Sequence, residues 1–253
     1  MSGGLFDGPA PRWFTIPASR PFVLDLAQGL HDSFAEQGPE ALADALLLTP
    51  TRRGARALAD AFVTAAGGRP VLLPQIRAVG DLDEGEPPFE PGDLALDLPP
   101  AVSPLRRRFE LARLVAEHGP ALGRDLDAAS ALEMADALAA VFDSLAIEGV
   151  TDPAEKIEAL VEGEQARHWR ISADFLSLAV RRWPERLDEL GLIDPTVRRV
   201  RLLEALADQW SEQPPTRPLI AAGSTGTAPS TARLLGVVAE APRGCVVLPG
   251  LDL

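Results

Sequence analysis

Hydrophobic residues fall in two alternating rhythms at both ends of this chain and in a single rhythm through its middle. Near the N-terminus RWFTIP (residues 12–17) reads as a short strand, and ASRPF (18–22) as a turn. Val23, Leu26, Leu30 and Phe34 then stand three or four apart, which predicts one apolar face of a helix over 23–38, closed by Gly38-Pro39. Pro21 suits the start of that helix, where a missing N–H costs nothing. DALLLTP (44–50) is a continuous apolar run, as expected for a strand covered on both faces. TRRGARALADAFVTAAGG (51–68) predicts a second helix with Ala57, Leu58, Ala61 and Phe62 inward, and PVLLPQIRAV (70–79) a third strand. Strands alternating with helices of this length imply βαβ units in a parallel sheet with right-handed crossovers.

Residues 81–101, rich in proline and acid, break the pattern and read as an exposed loop. From Ser103 to about Gln213 the spacing is helical throughout. Ser103-Pro104, Asp152-Pro153 and Asp194-Pro195 each pair a capping residue with a proline suited to a first turn, and Trp183-Pro184 is expected to end or kink a helix. Sheet rhythm returns at RPLIAA (217–222), followed by a Gly/Ser/Thr loop, the helical TARLLGVVAEA (231–241) and the apolar GCVVLPGLDL (244–253). The expected organisation is an α/β domain split in sequence (1–100 and 214–253) with an all-α domain inserted over 101–213. Residues 1–12 are expected to fray, and a sheet domain whose last residues form a strand is expected to continue beyond Leu253.

Charge and cysteine usage narrow the function classes. Lys plus Arg number 24 against 37 Asp plus Glu, a net charge of -13, which argues against nucleic-acid binding over the whole surface but leaves local basic clusters open. The single cysteine, Cys245, excludes an internal disulfide or a multi-cysteine metal site and reads as a small buried hydrophobe. No stretch reaches the roughly 20 apolar residues of a membrane span. The N-terminus has no secretory pattern, so the expected location is cytoplasmic, without a membrane partner.

The loops after the strands are the places to look for chemistry. A triphosphate-binding loop needs glycines, a lysine for the β/γ oxygens and a Ser/Thr for Mg²⁺. Ala18-Ser19-Arg20-Pro21-Phe22 has neither glycine nor lysine. The loop after LIAA has Gly223 and Gly226 but no lysine, and Gly223-Ser224 stand where acids would hold Mg²⁺, so no nucleotide chemistry is expected. A weaker anion site at that loop and a simple tight turn both remain open. Ala222-Gly223-Ser224-Thr225-Gly226 also resembles a nucleophile elbow, which would make Ser224 a serine-hydrolase nucleophile. However, His31, His118 and His168 all precede Ser224, whereas the fold that carries the elbow places its histidine afterwards. His118 closes a helix beside its last carbonyls, and His168 next to Trp169 reads as surface or interface. Arg106-Arg107-Arg108 and Arg198-Arg199-Arg201 lie on helices rich in acids and read as solvated faces. Thr51, Arg52, Arg53 and Arg56 differ. They open a helix at the carboxyl edge of the sheet, where α/β proteins bind ligands, and arginines beside a helix N-terminus suit a phosphate backbone.

LLLTPTRRGARALADAF (46–62) resembles the second strand and helix of superfamily 1 helicases, the segment called motif Ia. More narrowly, IPASRPFVLDLAQGL, PTRRGARALADAF with VLLPQIRAVGDLD, and IAAGSTGTAPSTARLLGVVAEAPRGCVVLPGLD together resemble the N-terminal region of the AddB family. AddB is one subunit of the AddAB helicase–nuclease that processes double-strand DNA breaks. The resemblance implies a RecA-like parallel sheet with a helical insertion. It places the nucleotide loop at Ala18–Phe22 and the Walker B acids at Gly223-Ser224, both without the needed residues, and motif III at CVVLPGLD without its Gly-Asp pair. It implies DNA-strand contacts at Thr51, Arg52 and Arg53; Arg56 beside them, and Ser224 and Thr225 on the glycine loop, are further nucleic-acid-binding candidates. It also implies docking to an AddA-type helicase–nuclease subunit, single- or double-stranded DNA in the full complex and, in some members, scanning for the Chi sequence. The family's nuclease and the cysteines of its iron–sulfur cluster lie in a C-terminal domain outside these residues, so no catalysis and no cofactor are expected within them. A protein-interaction scaffold without DNA contact is the other class that the sequence allows.

Overall fold

The computed structural model describes residues 5–80, 98–118, 126–159 and 170–250. The acidic, proline-rich stretch 81–97, His168 and residues 1–4 lie outside the described residues; the expectation that the whole of 1–12 frays fails, since Leu5 and Phe6 pack on the core beside Phe34 and the Arg12 N–H donates to the Ala239 carbonyl. Chain contacts divide the protein into a unit of residues 1–95 with 202–253 and a unit of residues 96–201.

The first unit is α/β. Its strands are β1 (Trp13–Ile16), β2 (Leu46–Thr49), β3 (Gln75–Ala78), β4 (Leu219–Ala222) and β5 (Gly244–Pro249). They form one five-stranded sheet in the order β1-β5-β4-β2-β3, and every pairing is parallel. All four residues of β2 and of β4 are buried, as their unbroken apolar sequences require of strands covered on both faces. Edge strand β3 alternates exposed Gln75 and Arg77 with half-buried Ile76 and Ala78. It is shorter than the pattern of 70–79 predicts: Leu72 and Leu73 are exposed and outside the ladder, because Pro74 cannot donate to it.

Helices cover both faces. On one face α1 (Phe22–Phe34) brings Leu26, Ala27, Leu30 and Phe34, and α3 (Arg52–Ala65) brings Leu58, Ala61 and Phe62, onto Leu47, Ile220, Ala222, Cys245 and Val247. The short α2 (Pro39–Ala43), not foreseen in the sequence, adds Leu42 to the same cluster. On the other face α9 (Pro229–Glu240) sets Leu234, Leu235, Val238 and Ala239 against Leu46, Leu48, Leu219, Ala221 and Val246. They are joined by Leu203, Leu206, Ala207 and Trp210 from the later half of α8 (Pro195–Glu212). Each large side chain so buried contributes about 1.5–3 kcal/mol relative to an exposed one.

The second unit, as described, is helical. It holds α4 (Pro104–His118), α5 (Ala128–Ile147), α6 (Pro153–Ala159), α7 (Arg170–Glu189) and the first turns of α8. Its core gathers Leu111, Leu114 and Val115 from α4, Ala135, Leu138 and Phe142 from α5, and Phe175, Ala179, Trp183 and Leu187 from α7. Phe142 and Trp183 stack with ring centroids 6.3 Å apart. Asp127 caps α5 by accepting from the Ser130 N–H, and Asp194 caps α8 by accepting from the Thr196 N–H. Pro184 does not end its helix: α7 runs through it to Glu189, with Trp183 and Leu187 on either side of it both buried. Core packing outweighs the lost backbone hydrogen bond there.

The expectation that Arg106-Arg107-Arg108 form a solvated face fails at Arg107. Its side chain is only 12% exposed. The guanidinium donates to Asp194 Oδ2 at 2.9 Å and to Asp143 Oδ1 at 2.8 Å, joining α4 and α5 to the start of α8. Trp183 Nε1 donates to the same Asp194 oxygen at 3.0 Å, and the Thr196 hydroxyl to Asp143 Oδ1 at 2.6 Å. Asp194 in the middle of this network is 5% exposed and has a hydrogen bond on each oxygen. A charge triplet in sequence does not reveal that its middle member faces inward.

Candidate functional site

In a parallel sheet all strands deliver their following loops to one edge. At this edge the β1–α1, β2–α3, β4–α9 and post-β3 loops come together. Neighbouring strands β2 and β4 send their helices to opposite faces, α3 to one and α9 to the other. That is the kind of switch point at which open α/β sheets bind ligands.

The β1–α1 loop is a closed turn. The Arg20 N–H is directed back to the Pro17 carbonyl at 3.0 Å, and Pro21 has no N–H to offer. Of the loop's amides, that of Arg20 is therefore engaged and that of residue 21 is missing. Arg20 pairs with Asp25 in the first turn of α1, and this hydrogen bond holds the Asp25 carboxyl below its ordinary range.

The β4–α9 loop uses its glycines for backbone shape and for packing. Gly223 has φ +82° and Gly226 φ +65°, both in the left-handed region. A Cβ on Gly226 would lie 3.1 Å from Leu235 Cδ1, so the loop hugs its own helix. The Gly223 N–H is committed to the Val247 carbonyl at 3.1 Å, and the Gly226 N–H to Ser224 Oγ at 3.3 Å. Ser224 is thus half-buried with its oxygen turned onto its own loop, while Thr225 is exposed. Among the described residues no histidine reaches Ser224: the His31 ring lies beside Asp32, and His118 Nδ1 is 2.9 Å from the Leu114 carbonyl. Helix-end placement is what the sequence predicts for His118.

The β2–α3 loop is the built part of the site. Thr51 caps α3, its Oγ1 accepting from the Gly54 N–H at 3.0 Å. The buried Thr49 hydroxyl lies 3.3 Å from the Thr51 carbonyl and 3.4 Å from that of Arg77, so it can donate to either and ties the loop to β3. Arg52 is half-buried; Arg53 and Arg56 are exposed, one turn apart on the first turns of α3. Neither Arg53 nor Arg56 is held in an ion pair among the described residues.

These loops are locked together by contacts that sequence reasoning missed. The Gly80 N–H donates to the Pro50 carbonyl at 3.0 Å, and a Cβ on Gly80 would lie 2.1 Å from that oxygen, so no side chain fits there. The space above Gly223 is filled by Phe22 and Pro50: a Cβ built on Gly223 would lie 3.4 Å from Phe22 Cε1 and 3.6 Å from Pro50 Cδ. The readable signal was a glycine or proline at the carboxyl end of three strands, but not that they would meet.

Cys245 lies buried in β5, and burial pushes its thiol up to about 12. Among the described residues no group of three His, Cys, Asp or Glu side chains is placed to hold a metal ion, and no helix is long and apolar enough to cross a membrane. A scan of protein-family models finds no match to this chain, and a search of curated proteins finds none either.

Proposed function

We propose that this chain is the N-terminal, ATPase-inactive helicase-like part of an AddB-type subunit, built on a RecA-like sheet, that guides single-stranded DNA and docks an AddA-type helicase–nuclease partner in the cytoplasm. The observation that carries the reading is the contrast between loops on one sheet edge. Where a motor would hold a triphosphate there is a closed turn with Pro21 and Phe22, and where it would hold Mg²⁺ there is Gly223-Ser224. Beside them a capped helix opens with exposed Arg53 and Arg56. Arginines at a helix N-terminus contact phosphates without reading sequence, which suits strand guidance. The resemblance of residues 46–62 to motif Ia supports the same assignment, and the all-parallel sheet is compatible with it.

Two titrations test the reading. Mg-ATP is expected to leave the protein's tryptophan fluorescence and melting temperature unchanged. A fluorescein-labelled oligo-dT is expected to bind weakly, since a net charge of -13 opposes it, with a log–log salt slope of about -0.7 per phosphate contacted. Replacing Arg53 and Arg56 together by alanine is expected to flatten that slope by about 1.4, the contribution of two contacts. An unchanged slope would remove the DNA-contact assignment, and saturable nucleotide binding would remove the inactive-motor assignment.

One observation favours the second reading, a protein-interaction scaffold. Leu105 and Phe109 stand one turn apart on α4 and are 65% and 56% exposed. That reading expects no salt-dependent DNA affinity at all.

A further inference from the structure

We infer that Phe22 is a positioning residue: its ring occupies the place between the β1–α1 and β4–α9 loops where a motor would hold nucleotide, and with Pro50 it fixes the start of α3 so that Arg53 and Arg56 meet successive phosphates. This rests on the proposed DNA-guiding role and adds what takes over the structural part of an absent ligand.

A bound triphosphate bridges the loops at the carboxyl edge of a working motor sheet. In this chain the bridge is made of carbon. Gly223, held at φ +82° and hydrogen-bonded to Val247, presents a bare backbone toward the edge. The Phe22 ring and the Pro50 ring both lie against that backbone, as the 3.4 and 3.6 Å approaches to its missing Cβ show. Pro50 is fixed from the other side by the Gly80 N–H, and Thr51, the next residue, caps α3. Both rings therefore lie against the start of the β4–α9 loop, and Pro50 leads directly into the arginine-bearing turn. Phe22 is the first residue of α1, and its partly buried ring also packs against the cluster that holds Leu26 and Ala27, so a test must separate the positioning of the loop from the seating of the helix. Close packing of this kind sets the position of a neighbouring loop to within a fraction of an ångström.

The experiment compares the parent chain with Phe22→Ala, Phe22→Leu and the Arg53→Ala/Arg56→Ala pair. It reads labelled oligo-dT binding across a salt series and amide exchange at residues 51–56. For Phe22→Ala the expected result is exchange at 51–56 at least tenfold faster than parent, with β5 amides 245–248 unaffected. Its salt slope should flatten by about 0.7, one phosphate contact. Phe22→Leu should restore both, since it refills the space without the ring. If Phe22→Ala fails to fold, Pro50→Ala is read in the same two assays, with the same expectations. Unchanged exchange at 51–56, or faster exchange with an unchanged salt slope, overturns the positioning role. If the arginine pair alone leaves the slope unchanged, or the parent shows no salt-dependent binding, the DNA-guiding reading falls and this role falls with it. A flattened slope for the arginine pair with parent behaviour for Phe22→Ala sinks only the inference about Phe22.

Discussion

Replacing Arg107 by alanine tests whether the helical unit is held by a buried ionic hub. The substitution removes the donors to Asp194 Oδ2 and Asp143 Oδ1. The two acids respond differently. Asp143, 35% exposed, can hydrate, so its share is screened and small. Asp194 is 5% exposed and is left charged with only the Trp183 and Thr196 N–H groups. Breaking a buried pair by removing one partner costs about 3–5 kcal/mol, and the two surviving donors put this case near ~3 kcal/mol. For a unit of about one hundred residues that lowers the melting temperature by roughly 12–24 °C. Because the chain has two units, hydrogen exchange followed by peptide mass spectrometry is the suitable assay. Peptides from α4 and α7 should lose protection while those from β4 and β5 keep it. Arg107→Lys should recover less than half of the loss, because an ammonium cannot reproduce the fork that reaches both acids. A melting temperature within 3 °C or so of the parent, or full recovery with lysine, would refute this account.

Three further outcomes follow from the same geometry. Gly244→Ala places a Cβ 1.9 Å from the Val238 carbonyl oxygen and 2.8 Å from Ala241 Cβ, so the α9–β5 turn must move; expected destabilisation is about 2–4 kcal/mol by urea titration, and a change below 0.5 would contradict it. Cys245, with its thiol pushed up to about 12 by burial, should resist a thiol reagent at pH 8 for hours and react at once in denaturant; rapid labelling of the folded chain would place it elsewhere. The Arg186 hydrogen bond holds the Glu110 carboxyl below its ordinary value of 4.5, so its stabilisation is full above about pH 4.5 and is lost as pH falls through the lower folded value. Acid melts of Glu110→Gln should accordingly show a flatter loss of stability below pH 4.5 than the parent, and identical curves would show that the pair carries no linkage.

Much of the architecture was readable because it rests on local rules. The apolar runs of β2 and β4 had to be strands covered on both faces, and Thr51 and Asp194 carry side chains that cap helices. Three features were not readable because they are set by distant partners. At Pro184 the sequence left an end and a kink both open, and burial of Trp183 and Leu187 carries α7 past it. Arg107 looked like its two neighbours, and only the meeting of α4, α5 and α8 turns it inward. At the candidate site the arginines and the glycine loop were visible as composition. The junction of Phe22, Pro50, Gly80 and Gly223 was not, since those four residues come from four separate loops.

The strand order also governs how the chain can be made. Trp13 in β1 pairs with Val246 in β5, and among the described residues β5 is the only strand that β1 pairs with. On the ribosome β1 therefore waits for its sheet partner until β5 has been synthesised. Central strand β4, which links β2 to β5, emerges almost as late. Pairings between such remote stretches are slow to form, so the nascent sheet half must be kept from aggregating while the intervening helices are translated and fold ahead of it.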